Sequence, residues 1–128
     1  MLGLGTGGLI VMYVAAIIGA GVVGILTLFF PKIASNYVFS DDVEVDVYLR
    51  ILGAIWLALG FVACLGAMAP ERYLAVLLIQ LIYKTSWLLA AAYPAIAKGN
   101  RAPGLVFLTC LFTVWVIALL ATIPFDQL

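Results

Sequence analysis

The stretch ILGAIWLALGFVACLGAMAP, residues 51–70, runs for nineteen residues without a charge before it meets a proline. An α-helix rises 1.5 Å per residue, so about 20 apolar residues cross a hydrocarbon layer of about 30 Å. With Val47 to Arg50 as its opening turn, the run reads as a membrane-spanning helix over approximately 47–69. Three similar runs follow from the rest of the chain, at approximately 8–30, 73–94 and 104–124. Pro31 stops the first, Ala69–Pro70 separates the second from the third, and Pro94 ends the third. KGNRAPG, Lys98–Gly104, makes the next turn, and Pro124 ends the last.

Composition agrees. Of the 128 residues 67% are hydrophobic and 9% charged, and the mean hydropathy is +1.29. A soluble domain of this size could not enclose so much apolar surface. Long apolar runs, rather than alternating ten-residue strands, select helices over a barrel. The fold class is therefore all-α: an integral membrane four-helix bundle, antiparallel, one domain over 1–128, with both termini on the same side. The opening MLGLGTGGLIVMYV lacks the basic region of a secretory signal, so the first run is expected to remain as a helix.

Six basic and six acidic residues balance, and no basic patch of the kind that binds nucleic acid is present. Histidine is absent, which removes the usual general base near neutral pH and the commonest ligand of transition metals. No metal site, cofactor or catalytic residue is expected, and the chain is not expected to be an enzyme. Ser86 stands two residues from Lys84, off its helical face, so a serine–lysine dyad is disfavoured. Cys64 and Cys110 read as buried packing residues. Their depths differ by roughly 15 Å along the membrane normal, too far for a bridge.

The first connection carries Asp41, Asp42, Glu44 and Asp46. Asp41 with Glu44 has the spacing of a capping box, and Asp46 would pair with Arg50 one turn on. The alternation of Val43, Val45 and Val47 also fits a short strand; the helix is preferred. Side A denotes the face bearing the first and third connections, side B the face bearing both termini. Lys32, Arg50, Lys98 and Arg101 fall on side A and only Arg72 on side B. The excess of basic residues puts side A in the cytoplasm and the termini outside, with the cytoplasmic (inner) membrane of a bacterium as the expected location.

GAGVVG, Gly19–Gly24, matches a dinucleotide fingerprint, but that motif works only between a strand and a helix. Inside an apolar helix, Ala16, Ala20 and Gly24 instead make a smooth strip for close helix contact. Gly53, Trp56, Gly60, Ala63 and Ala67 form a similar face on the second run.

The exception to this apolar plan is Lys84, in IQLIYKTSWLLA, residues 79–90. It stands about ten residues from either end of its run, roughly 15 Å from both interfaces. Ordinary snorkelling does not reach that far, and charge at that depth costs at least about 2.5 kcal/mol on insertion scales. A carboxylate, a water-filled cavity, an anionic ligand, a partner subunit or loss of the proton must compensate. Gln80, Tyr83, Lys84 and Trp87 share one helical face. Trp56, Trp87 and Trp115 lie at similar depth, although membrane tryptophans prefer the interfaces. Together they outline a chamber in the side A half, with Arg50 nearer its mouth. The plainer alternative is that Lys84 bonds to backbone carbonyls and to Gln80 or Tyr83, locking one helix against another.

RILGAIWLALG, Arg50–Gly60, followed by YKTSWLL in the third run and then by Pro94 and KGN, resembles the DoxX/BphX-like small four-helix membrane proteins. The resemblance implies a four-helix chain and an accessory subunit beside quinone-linked oxidation systems. It assigns no catalytic residue. The expected role is an accessory or assembly subunit of a larger membrane complex, or a binder of a lipophilic anion. Lys84 would supply the charge, Gln80 and Tyr83 hydrogen bonds, Trp56, Trp87 and Trp115 the walls, and Arg50 guidance from side A. The bilayer, other membrane subunits or further copies of the chain are the expected partners. The rival is a small oligomeric transporter or channel, which the apolar side B half disfavours.

Overall fold

A computed structural model describes residues 5–35 and 47–128. The capping box at Asp41 and Glu44, the strand alternative through Val43 and Val45 and the Asp46–Arg50 pair lie outside the described residues. Four helices are long and apolar enough to cross a membrane: α1 (Gly7–Phe29), α2 (Val47–Met68), α3 (Leu74–Ala97) and α4 (Pro103–Thr122). No strand occurs among the described residues. The chain is an all-α, integral membrane four-helix bundle.

The helices form a ring in which α1 touches α2 and α4, and α3 touches the same two. Lipid is as apolar as leucine, so packing rather than water exclusion must hold membrane helices together. Packing is tightest between α1 and α2, where the expected small-residue strips meet. A methyl built on Gly24 would stand 2.5 Å from Leu57 N, and one on Gly53 would stand 2.5 Å from Leu28 N. Two backbones run against each other there, antiparallel, and Ala16, Ala20, Gly60 and Ala63 extend the buried seam. The glycine motif of α1 is thus a helix contact within the chain.

At side B, Tyr13 Oη donates to Pro70 O at 2.7 Å, tying α1 to the turn between α2 and α3. At side A, Arg50 Nε donates to Leu28 O at 2.9 Å. That carbonyl belongs to the last turn of α1, whose carbonyls have no partner further along the helix.

Pro94 does not end the third helix. A π-helical turn at Leu88–Ala92 precedes it, and α-helix resumes over Tyr93–Ala97. Proline lacks an N–H and crowds the carbonyl four residues back; a π-bulge opens the ladder at that place. The helix ends instead on Gly99, at φ 99°. Asn100 N donates to Ala95 O at 3.1 Å and Gly99 N to Ile96 O at 3.0 Å, the paired bonds of a Schellman cap. Arg101 adds a bond to Ile96 O. Asn100 Oδ1 accepts from Ala102 N at 3.0 Å, and Pro103 opens α4, where a missing N–H does no harm. Lys84 consequently lies one turn further from side A than the proline had implied. At the other end, α4 stops at Thr122 because Pro124 holds Ile123 extended, at ψ 125°.

The surface is apolar. Phe61 and Val114 are 67% and 66% exposed, an arrangement suited to lipid and unsuited to water. Cys64 and Cys110 are both free thiols on this exposed surface, not packing residues. A helix apolar all round does not reveal which face looks inward, and a thiol is as compatible with lipid as with a core. Several polar side chains are nevertheless buried within the spans, Thr27, Gln80, Lys84 and Thr109 among them.

Candidate functional site

The centre of the bundle is built from α3 outward. Gln80 and Lys84 are one turn apart and face inward, 0% and 2% exposed. Lys84 Nζ donates to Tyr83 Oη at 2.7 Å and to Gln80 Oε1 at 3.3 Å. Both partners belong to α3 itself, so neither bond locks Lys84 to another helix. The remaining surroundings are aromatic. Nζ stands 4.4 Å from the ring centre of Tyr83, 4.4 Å from that of Trp115 and 5.0 Å from that of Phe112. Ring faces attract a cation, by about 2 kcal/mol where water is excluded. Among the described residues no carboxylate pairs with it.

Each ring is held from a different helix. Trp56 of α2 hydrogen-bonds to Tyr83; an indole N–H can only donate, so the phenol oxygen accepts. Phe112 of α4 meets Tyr83 edge to face at 6.3 Å and Trp87 at 5.4 Å, with interplanar angles of 84° and 70°. Trp115 reaches over Lys84 because α1 is cut away beneath it. A methyl on Gly19 would stand 2.6 Å from Trp115 Cη2.

Two buried donors in this centre, Gln80 Nε2 and Trp115 Nε1, have no hydrogen-bond partner among the described residues. Two cavities adjoin it. One of about 260 Å³ lies between α1 and α4, with Lys84, Tyr83 and Trp115 in its lining. The other, of about 510 Å³, extends toward side A between α2, α3 and α4, past Trp87, Ala95 and Gly104. Trp56, Tyr83, Leu108 and Phe112 line both and form the wall between them.

The expected residues thus divide. Lys84, Gln80, Tyr83 and Trp115 converge on one point, Trp56 supports Tyr83, and Trp87 borders the larger cavity. Arg50 is elsewhere, exposed and turned to Leu28. Ser86 is exposed and donates to Ile82 O at 2.7 Å, on its own helix and away from Lys84. Phe112 and Gly19 were missed. Phe112 stands one turn before Trp115, so the tryptophan marks its face; Gly19 opens the GAGVVG motif, and nothing in the sequence names the ring it clears.

Among the described residues no group of three or more His, Cys, Asp or Glu side chains could hold a metal ion. Comparison of the chain with protein-family models, characterised proteins and solved structures finds no match.

Proposed function

We propose that this integral membrane protein is non-enzymatic and binds a lipophilic anion at Lys84, either alone or as an accessory subunit of a larger membrane complex. One observation carries the reading. An amine 2% exposed, deep within a spanning helix, has neutral acceptors and aromatic faces around it and no described carboxylate. Charge there costs at least about 2.5 kcal/mol; the two bonds and three rings around it work against that cost, but all are neutral and leave the charge uncancelled. An anion in the adjoining 260 Å³ cavity supplies the countercharge that the described residues do not. Toward side B the interior is closed by Leu74, Leu77, Leu119 and Ile123, all buried. That apolar plug supports binding over passage from one side to the other.

Native mass spectrometry of protein extracted gently from its own membrane, beside Lys84→Met, tests the reading. Wild type is expected to carry an added anionic mass that the variant lacks, with equal helical content by circular dichroism. Equal occupancy of the two, or two bare chains, refutes it.

A further inference from the structure

We infer that the anion is a single-chain amphiphile ending in a carboxylate, taken up from the bilayer through the cleft between α1 and α4. The inference rests on the Lys84 reading above and specifies its ligand.

The first ground is the sign of the unmet hydrogen bonds. An ammonium has three donors, and Lys84 uses two of them. Trp115 Nε1, in the chamber lining, and Gln80 Nε2, one turn behind Lys84, have no partner among the described residues and also only donate. The orientation of the Gln80 amide follows from its neighbour, because turning it over would set Nε2 against Nζ, donor against donor. Tyr83 Oη already accepts from Lys84 and from Trp56. Among the described residues the centre is therefore short of acceptors. A carboxylate accepts at about four lone-pair sites and donates none. An alcohol brings a donor that finds few acceptors, and an amine adds like charge.

The second ground is size and position. The chamber of about 260 Å³ is walled on one side by Gly19, Ala20 and Val23 of α1 and on the other by Phe107 and Leu111 of α4. Phe107 and Leu111 are 56% and 38% exposed, so in a bilayer they face acyl chains. Lys84 and Tyr83 form the back of the chamber, and the Gly19–Trp115 contact closes it toward side B. A headgroup entering from the lipid meets the amine at once, and its tail remains among lipid tails. The chamber is smaller than the roughly 300–1,000 Å³ of a typical small-molecule site. A carboxylate and a few methylenes fit it, whereas a diacyl phosphodiester carries two chains and a glycerol.

The test uses the whole protein in phosphatidylcholine nanodiscs, titrated with palmitate, with cetyl alcohol and with phosphatidylglycerol. Palmitate is expected to bind saturably, about tenfold more weakly to Gln80→Leu and not detectably to Lys84→Met. Cetyl alcohol is expected not to compete, and Leu111→Trp, at the mouth of the cleft, to slow association. Phosphatidylglycerol binding that depends on Lys84, with palmitate inert, overturns the single-chain carboxylate and leaves the anion reading standing. Short acetate competing as well as palmitate overturns uptake from lipid. Palmitate binding unaffected by both Lys84→Met and Gln80→Leu, or no Lys84-dependent binding of any of these anions, overturns both readings.

Discussion

Gly60 and Gly21 face each other across the α1–α2 seam, yet they are expected to respond oppositely to the same added methyl. A Cβ on Gly60 would stand 2.6 Å from Gly21 N, with Gly21 Cα also in its path. Its partner there is backbone and cannot swing aside. Carbon packs at about 3.5–4.0 Å, so the two helices would have to part by about 1 Å along their tightest contact. Overpacking of that kind costs about 1–3 kcal/mol. The better helix propensity of alanine returns about 0.5–1 kcal/mol. Gly60→Ala is therefore expected to destabilise the bundle by about 1–2 kcal/mol. On Gly21 the added methyl points elsewhere and meets only Gly60 Cα, at 3.6 Å, an ordinary contact. Gly21→Ala is expected to be neutral or to stabilise by up to about 1 kcal/mol. Unfolding by sodium dodecyl sulfate in mixed micelles, followed by circular dichroism, measures both. A gap of about 2 kcal/mol separates the two unfolding constants by more than tenfold. Equal midpoints, or a Gly60→Ala protein more stable than Gly21→Ala, would refute the packing of α1 on α2 described above.

Gly99→Ala is expected to destabilise the bundle by about 1 kcal/mol because its φ of 99° is unfavourable for a side chain. Gly99→Asn should lose less, in the same unfolding assay. Tyr13→Phe removes the bond to Pro70 O and should cost about 0.5–1.5 kcal/mol; hydrogen exchange at the α2–α3 turn would rise if the bond ties it to α1. Arg50→Gln breaks the cap on Leu28 O, a loss of about 1 kcal/mol or less at an exposed site. It should leave palmitate affinity unchanged, and a fall in affinity would return Arg50 to the ligand path. Gly19→Ala forces Trp115 to move; a red shift in tryptophan emission with little loss of stability is the expected signature, and an unchanged spectrum would count against the aromatic cage.

Membrane sequences expose their architecture early because lipid leaves the chain few choices. Every backbone polar group must be satisfied within the span, so uncharged runs of twenty residues become helices, and their number and order follow directly. For the same reason the lysine at position 84 drew attention without any structure: charge is rare at that depth and needs compensation. The spacing of Gln80, Tyr83 and Lys84 was enough to bring them together on one face of α3.

Facing was the harder matter. A helix that is apolar on every side carries no stripe to orient it, so Cys64 and Cys110 read as interior and lie on the surface. Local punctuation misled at Pro94, since a π-turn upstream absorbs a proline that would otherwise stop the helix. Glycines announced a close contact but not its partner: Gly24, Gly53 and Gly60 admit a backbone, whereas Gly19 admits an indole. Residue types and their spacing determined four helices, their antiparallel order and a misplaced charge. Only tertiary packing decided that Phe112 and Trp115 would close over that charge, that Arg50 would turn away to cap α1, and that a cavity would open between α1 and α4. Those outcomes depend on how four rods rotate about their own axes, and in lipid that rotation is set by shape and by buried hydrogen bonds, which a one-dimensional hydropathy pattern does not record.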